Sequence, residues 1–233
     1  GRVFNRYKIK QLLTGLRQQY QTLGYYDAKV SLDVNQLQRN RVDIKIRVDE
    51  GVIAKVKRIM LTGNKAFSDR VLIKQMKLQT SGLLSWISKD DRYSDFKLDQ
   101  DIQAIENYYL DHGYLDFRLI SKHVEIAPGN RQVTLRINIQ EGPIYRLGKV
   151  SVVGKAATDP EVVKLVTVKS GEVFSKNAVM SINKKIAGHF RDQGYALPSI
   201  DVKNNVVKAK QLVDLVWRVD SGRRVYVRQV HFT

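Results

Sequence analysis

Residues 105–114 read IENYYLDHGY, and this stretch decides the fold. Apolar residues stand four and eight places before Gly113, which is the spacing of a buried stripe on a helix. Gly113 ends that helix, because a residue without a Cβ adopts left-handed backbone at little cost. The same pattern recurs at Gly24 and Gly194, each followed directly by a tyrosine. The stretch is therefore one copy of a threefold internal repeat.

Two strand patterns follow each of these helix-ending glycines. The second of each pair alternates apolar and polar residues, as residues 132–140 do, which predicts a half-buried strand. Turn-forming residues separate the two strands, so each pair is expected to be an antiparallel hairpin. Every hairpin closes at a glycine, namely Gly51, Gly142 or Gly222, after which another strand opens. One complete unit is thus strand, helix, helix, strand, strand.

This order predicts an α+β fold of tandem units, each with two helices on one face of a three-stranded mixed sheet. We expect a partial unit at residues 1–51 with only the second helix and the hairpin. Complete units are expected at 52–142 and 143–222, and residues 223–233 would be the opening strand of a further unit. The chain is therefore expected to be a mature segment or a fragment of a longer protein.

The composition argues against several kinds of functional site. The chain has no cysteine and only four scattered histidines, and it lacks phosphate-loop, dinucleotide-binding and nucleophile-elbow patterns. Its acidic clusters do not have the spacing of an EF-hand. No run of 18 apolar residues is present, so no membrane-spanning helix is expected. We expect no enzyme, no cofactor and no metal site.

The net charge of +17 raises the question of an anionic partner. Most basic residues alternate with apolar ones, as in residues 41–48, which favours the wet face of a strand over a nucleic-acid stripe. The element order also occurs in KH domains that bind RNA, but their G-x-x-G loop is absent here. Nucleic acid is therefore not an expected partner, and a KH-like module is the less favoured alternative.

Unit length, element order and four sequence runs together resemble the polypeptide-transport-associated (POTRA) domains of the BamA family of outer-membrane protein assembly factors. The four runs are residues 39–51, 61–67, 108–114 and 224–228. The resemblance spans nearly the whole chain and corresponds to the end of the second domain, the third, the fourth and the first strand of the fifth. A POTRA array from a two-partner secretion or translocation-assembly system shares this fold and stays an alternative.

The resemblance implies a periplasmic scaffold of the outer-membrane β-barrel assembly machinery. Its implied partners are unfolded outer-membrane proteins, accessory lipoproteins and the C-terminal membrane barrel of the same protein. It implies neither a cofactor nor a nucleotide.

A three-stranded sheet has two edges with unpaired backbone groups, and an extended client can add to such an edge as a further strand. We expect the first strand of the hairpin to form that edge. In the second unit the candidate edge strand is Arg118, Leu119, Ile120, Ser121, Lys122, His123, Val124, Glu125 and Ile126. Two of its charges, Arg118 and Lys122, would either discourage pairing or steer it, so a protected edge and a docking edge both stay open.

The second unit is longer than the third, mostly between its two helices, where the added residues are unusually apolar. Such a loop either folds back over its own core or forms an exposed knob for a partner. The candidate contacts are Leu83, Leu84, Trp86 and Ile87.

The joints between the units and the C-terminal segment lead to two further expectations. The first joint, Glu50, Gly51 and Val52, is the expected hinge, because Pro143 stiffens the second joint. An orphan strand near the C-terminus is expected to allow weak strand-mediated self-association. That strand contains Val225, Tyr226, Val227 and Arg228.

Overall fold

The architecture was determined from a computed structural model that describes residues 5–25, 27–39, 41–82, 85–127, 129, 131–154, 158–224 and 226, with only the backbone at residues 85 and 86. The helices are α1 (Arg6–Thr22), α2 (Asp69–Ile73), α3 (Ser85–Ser88), α4 (Asp95–Asp111), α5 (Pro160–Leu165) and α6 (Lys176–Asp192). The strands are β1 (Lys29–Leu37), β2 (Arg41–Asp49), β3 (Lys55–Thr62), β4 (Arg118–Ile126), β5 (Gln132–Gln140), β6 (Arg146–Val153), β7 (Ser199–Val207) and β8 (Leu212–Asp220).

The two three-stranded sheets share one topology. β3 pairs parallel with β5, and β4 pairs antiparallel with the other side of β5, which gives the order β3-β5-β4. The second sheet repeats this as β6-β8-β7, and β1 with β2 forms an antiparallel hairpin. The predicted α+β fold, with strand, helix, helix, strand, strand units and mixed sheets, is confirmed.

The central strands carry the cores. The alternating apolar residues of β5 and β8 are at most 3% exposed, and they are Val133, Leu135, Ile137, Ile139, Val213, Leu215, Trp217 and Val219. Strand β2 has the same alternation, yet Ile44 and Ile46 are 39% and 38% exposed. Among the described residues, β2 pairs with β1 alone and α1 contributes no buried residue. The alternation therefore marks a core strand only where a third strand and a packed helix complete the layer.

The glycines that close the units stand where the chain passes very close to itself. Gly142 has φ of 74°, and a Cβ there would lie 2.8 Å from the Cβ of Asp116. At Gly222 it would lie 2.8 Å from the Leu197 carbonyl oxygen. Gly51, at the end of the first unit, has φ of 66°, so positive φ is common to all three closing glycines, and at Gly142 and Gly222 the close approach requires glycine as well.

The helices between β3 and β4 differ in one respect from the predicted pair. The residues inserted in the second unit include α3, a single additional turn. Helix α5 begins after Asp159, whose carboxylate accepts a hydrogen bond from the Glu161 N–H at 2.9 Å. Pro160 occupies the first turn, where its missing N–H costs nothing.

The chain forms two compact units. One contains residues 1–106 with 118–140, and the other contains residues 107–117 with the chain from 141 onward. In the sequence repeat, residues 107–117 belong to the unit at 52–142. In the structure they belong to the same compact unit as β6, α6 and β8. Within the described residues, no helix combines the length and the apolar character that a bilayer crossing requires.

Candidate docking edge

Strand β4 lies at an outer position of its sheet, with β5 on one side. Its burial is low along the whole length, and only Val124 is partly buried. All nine residues of the candidate edge, 118–126, fall within this strand. The sequence therefore placed the strand and its bounds, while the docking role stays a prediction.

The direction of the backbone groups on β4 follows from its hairpin. The Ala127 N–H donates to the Gln132 carbonyl at 2.9 Å, so this opposed pair is hydrogen-bonded across the hairpin. In an antiparallel ladder such pairs alternate with residues whose N–H and C=O groups point away. Lys122, Val124 and Ile126 therefore present their backbone groups to the open side. Among the described residues, none of these groups has another backbone partner.

The start of β4 is less regular than its end. The register with β5 shifts between Leu119 and Ser121, which leaves Ile120 as the extra residue of a bulge, 53% exposed. Bulges of this kind blunt an edge against further pairing. Lys122 forms an ion pair with Asp99 on α4, so its charge is tied to the helix rather than projecting from the edge. The open part of β4 is therefore its second half.

The opposite edge of each sheet is partly closed. The Val56 N–H donates to the Asp91 carbonyl at 2.7 Å, and the Ser81 N–H donates to the Val56 carbonyl at 3.0 Å. The Leu147 N–H donates in the same way to the Glu172 carbonyl at 2.7 Å, and that of Gly171 to Leu147 at 2.7 Å. The starts of β3 and β6 are thus occupied by loop segments. No sequence pattern predicts these loop-to-strand hydrogen bonds, because backbone bonds from irregular loops do not depend on the type of residue.

The face of the sheet away from the helices carries a neutralised charge pair next to β4. The Arg136 Nε donates to the Glu125 Oε1 at 2.7 Å, and this bond holds the pKa of Glu125 below its ordinary value. Ser121 and His123 line a shallow pocket of about 240 Å³ beside the pair. Glu125 therefore stays ionised and paired at neutral pH, and the edge offers no uncompensated acidic charge on this face.

The other segments predicted from sequence are only partly described. In the insertion, Ile87 is 61% exposed, while Leu83, Leu84 and the Trp86 side chain lie outside the described residues. Its role as a partner contact stays a prediction. Tyr226 of the orphan strand is 80% exposed, and its companions Val225, Val227 and Arg228 lie outside the described residues.

The predicted hinge is an exposed tight turn. Glu50, Gly51 and Val52 are all exposed, and Gly51 has φ of 66°. Its N–H donates to the Asp49 carboxylate at 3.1 Å, which closes the turn locally. The turn itself makes no bond that would fix β2 relative to β3 among the described residues, so the hinge role is a proposal for testing.

A set of polar contacts that sequence reasoning missed surrounds the second joint. The Tyr145 hydroxyl donates to the Asp116 carboxylate at 2.7 Å, and this bond raises the pKa of Tyr145. Lys208 lies 3.3 Å from the other Asp116 oxygen. The Tyr109 hydroxyl donates to Glu141 at 2.8 Å, and burial together with this bond raises the pKa of Tyr109. These contacts connect α4 and the turn after it to the segment between β5 and β6, and to Lys208 directly after β7.

Asp111 at the end of α4 completes this set, which we call the joint clamp: Tyr109, Asp111, Asp116, Glu141, Tyr145 and Lys208. Its carboxylate accepts the Asn177 N–H at 2.7 Å and the Ser175 hydroxyl at 3.3 Å at the start of α6. A carboxylate at a helix N-terminus is favourable because of the free N–H groups and the helix dipole. A difference between two repeat units could have revealed the clamp from sequence. The third residue after the closing glycine is Ala54 in one unit and Tyr145 in the next.

In the part of the chain that the structure describes, no three His, Asp or Glu side chains converge as metal ligands. What the described surface offers is backbone pairing at open sheet edges.

The repeat matches a known family along almost its whole length. The profile of the family described as POTRA, Surface antigen variable number repeat, matches residues 1–51, 54–142 and 145–222. The chain belongs to the POTRA family. Each of the three POTRA matches contains one of the helix-ending glycines and one hairpin.

Curated relatives of this POTRA chain are outer-membrane protein assembly factors. It is 32% identical to BamA of Neisseria meningitidis serogroup B over 99% of its length, and 25% identical to BamA of Buchnera aphidicola over 100%. It covers 29% and 38% of those two proteins, so it spans about a third of the length of its curated relatives.

Solved structures agree on the fold. POTRA domains 3–5 of Haemophilus influenzae BamA superpose with a TM-score of 0.62 at 22% identity, over 77% of this chain and 70% of theirs. BamA of Haemophilus ducreyi lacking POTRA domains 1–3 gives 0.53 at 14% identity, over 71% of this chain and 29% of that one. At these identities the similarity establishes the fold alone.

Proposed function

We propose that this POTRA chain is a periplasmic scaffold of the outer-membrane β-barrel assembly machinery. It docks accessory lipoproteins and guides unfolded outer-membrane proteins by β-strand addition. The similarity to BamA assembly factors along 99% of the chain supports the setting. The supporting structural observation is the open second half of β4, where Lys122, Val124 and Ile126 present unpaired N–H and C=O groups.

Strand addition suits a receptor for many clients. The main-chain bonds are common to every extended polypeptide, so recognition does not depend on one client sequence. Side chains that alternate along the client add only mild selectivity, because every second one faces the sheet. The closed starts of β3 and β6 direct this role to the hairpin edge.

A proline at Val124 tests the edge directly. The Val124 N–H points to the open side, so Val124→Pro removes a docking donor without removing a bond to β5. An unfolded outer-membrane β-barrel protein, diluted from urea, is titrated against the full chain by fluorescence anisotropy. We expect roughly tenfold weaker binding, since a docked strand loses one bond and its neighbours are distorted.

Val124→Thr is the matched control, because it keeps the N–H and the β-branched shape. It is expected to bind as the unsubstituted chain does. Circular dichroism shows whether both variants are folded. If a folded Val124→Pro variant binds the client with unchanged affinity, the β4 edge has no part in the function.

Photocrosslinking in cells tests the partners. A benzoylphenylalanine is placed in turn at residues 116–126 of the full-length protein, and at Lys184 on α6 as an exposed control. Crosslinks to outer-membrane proteins or lipoproteins are expected along β4, strongest in its second half, and absent at Lys184. Crosslinks that are equally frequent at Lys184 would contradict docking at this edge.

A further inference from the structure

A second candidate binding surface lies in the repeat unit at residues 143–222, which we call the third module. It is beside the part of β6 that residues 171–172 do not cover. Strand β6 and helix α5 form the walls of an open groove of about 800 Å³. Its apolar lining consists of Val150, Val152, Val163, Val166 and Val168. Val163 is 47% exposed, although it lies on a helix whose Val162 is fully buried. The groove is therefore an apolar surface left uncovered among the described residues.

The backbone of β6 changes partners along its length. At Leu147 both backbone groups pair with residues 171–172, and the register with β8 then shifts between Leu147 and Val150. Beyond that bulge, residues 150–153 have only β8 as a backbone partner among the described residues. The open stretch of β6 therefore begins where the loop that covers its start ends.

The orientation of this stretch follows from its neighbours. The Lys149 N–H donates to the Asp214 carboxylate at 2.6 Å, so it faces the β8 side. Backbone groups alternate along a strand, so Val150 and Val152 present theirs to the open side. Their side chains lie opposite Leu215 and Trp217 of the core, which places them on the helix-covered face beside α5. An added strand would meet backbone donors and an apolar floor together.

The rim of the groove is basic. Lys149 and Lys169 both line it, and neither ammonium group forms an ion pair among the described residues, because the neighbouring carboxylates of Asp214 and Glu172 accept from the backbone N–H groups of these lysines instead. Lys164 on the same helix, by contrast, is paired with Glu161 at 2.7 Å. Two free cations around an apolar floor complement a ligand that carries both apolar and acidic side chains.

We propose that this groove binds an extended polypeptide segment that alternates apolar and acidic side chains. The segment adds to β6 as a strand along Val150–Val152, its apolar side chains cover the valines, and its carboxylates lie near Lys149 and Lys169. This site is separate from the β4 edge, and its existence does not depend on what β4 binds.

The test uses a fluorescein-labelled heptapeptide that alternates valine and aspartate, titrated against the full chain by anisotropy. Val163→Glu places a charge on the apolar floor at an exposed position, so folding should be preserved. We expect at least about tenfold weaker binding, because a carboxylate is buried by the docked strand. The double variant Lys149→Glu and Lys169→Glu should weaken binding several-fold, and more at low salt. The double variant Lys184→Glu and Lys185→Glu, at two exposed positions of α6, changes the net charge by the same amount as the lysine double variant and should bind normally.

Two N-methylated peptides test strand addition without changing the protein. Methyl groups on alternate amides block one edge of the peptide and leave the other free. One methylation pattern should abolish binding and the other should retain it, since only one edge pairs with β6. Equal binding of both patterns would overturn strand addition at this groove.

Further results separate this groove from the β4 edge, and separate a bound polypeptide from other possible ligands. Val124→Pro should leave heptapeptide binding unchanged, while Val163→Glu should leave the β4 client unaffected, so either site can fail alone. A valine–lysine heptapeptide that bound as tightly would refute the acidic preference. Binding to vesicles of zwitterionic and anionic lipid that required Val163, without peptide binding, would replace the polypeptide by a membrane surface and overturn the proposal.

Discussion

The two joints of the array occupy the same place in the repeat but are built differently. Each runs from a closing glycine to the third residue after it, which is Ala54 in the first joint and Tyr145 in the second. Tyr145 donates to Asp116, whereas Ala54 has no side-chain donor to offer the equivalent Asp27. The two joints are equally short, so linker length does not distinguish them.

The helices that precede the two joints also differ at their C-terminal ends, and again only the one before the second joint makes the additional contact. Asp111 binds the start of α6, but Thr22, its equivalent at the end of α1, donates to its own helix at Gln18, 2.8 Å away. The Ser175 hydroxyl therefore has a partner in Asp111, while the hydroxyl of its equivalent, Ser94, is buried without a hydrogen-bond partner among the described residues. We therefore expect side-chain contacts of this kind, rather than the length of the chain between the units, to control how far each joint bends. We expect the first joint to bend more than the second.

The largest expected effect comes from making the second joint resemble the first. Tyr145 is 1% exposed and lies in the core cluster of the third module. Tyr145→Ala removes both the clamp and a buried ring, and should cost about 3–5 kcal/mol. Unfolding is followed by the fluorescence of Trp217, with Trp86 replaced by Phe so that one tryptophan remains. Ala54→Gly, the change at the matching position, should cost only about 1 kcal/mol. Because Ala54 lies in the other compact unit from Trp217, its unfolding is followed by far-ultraviolet circular dichroism. Equal losses at both positions would refute the asymmetry.

A smaller effect is expected from the helix cap within the clamp. Asp111→Ala leaves the Asn177 N–H and the Ser175 hydroxyl without this acceptor, and should cost about 1–2 kcal/mol in the same Trp217 assay. Thr22→Ala is the matched control and should change stability by less than about 0.5 kcal/mol. Because Thr22 lies in the other compact unit from Trp217, this change is measured by circular dichroism. If Asp111→Ala proves as mild as the control, the cap contributes nothing to the joint.

The sequence predicted the parts of the molecule that depend on local pattern. Residues 132–140 alternate because β5 is buried on one face, and Gly113 ends α4 because of its backbone conformation, so periodicity and glycine identified both. The clamp was missed because Tyr145 and Asp116 are joined across 29 residues by one side-chain bond. The groove beside β6 was also missed, since it depends on where a loop stops covering a strand.

The hydroxyl of Tyr145 can be tested apart from its ring. Tyr145→Phe keeps the packing and removes the bond to Asp116, so the thermal midpoint of the Trp217 transition should fall by about 4 °C at neutral pH. Because the folded-state pKa of Tyr145 is raised, the contribution is fully present below pH about 10 and is lost as the pH rises through the folded value. The gap between the two proteins should therefore close in strong alkali, and a gap that is independent of pH would exclude this bond as its source.

The smallest expected effect comes from giving the first joint part of the clamp. Thr22→Asp places a carboxylate where Asp111 stands in the second repeat, within the expected reach of the buried Ser94 hydroxyl, and should stabilise the joint by about 0.5 kcal/mol. The chain has no cysteine, so spin labels at Lys10→Cys and Lys74→Cys can report the distance distribution across this joint without background. The distribution should narrow in Thr22→Asp, stay wide in the isosteric control Thr22→Val, and widen again when Ser94→Ala is added to Thr22→Asp. A distribution that narrows equally in Thr22→Val, or stays narrow without the Ser94 hydroxyl, would show that some other contact controls the first joint.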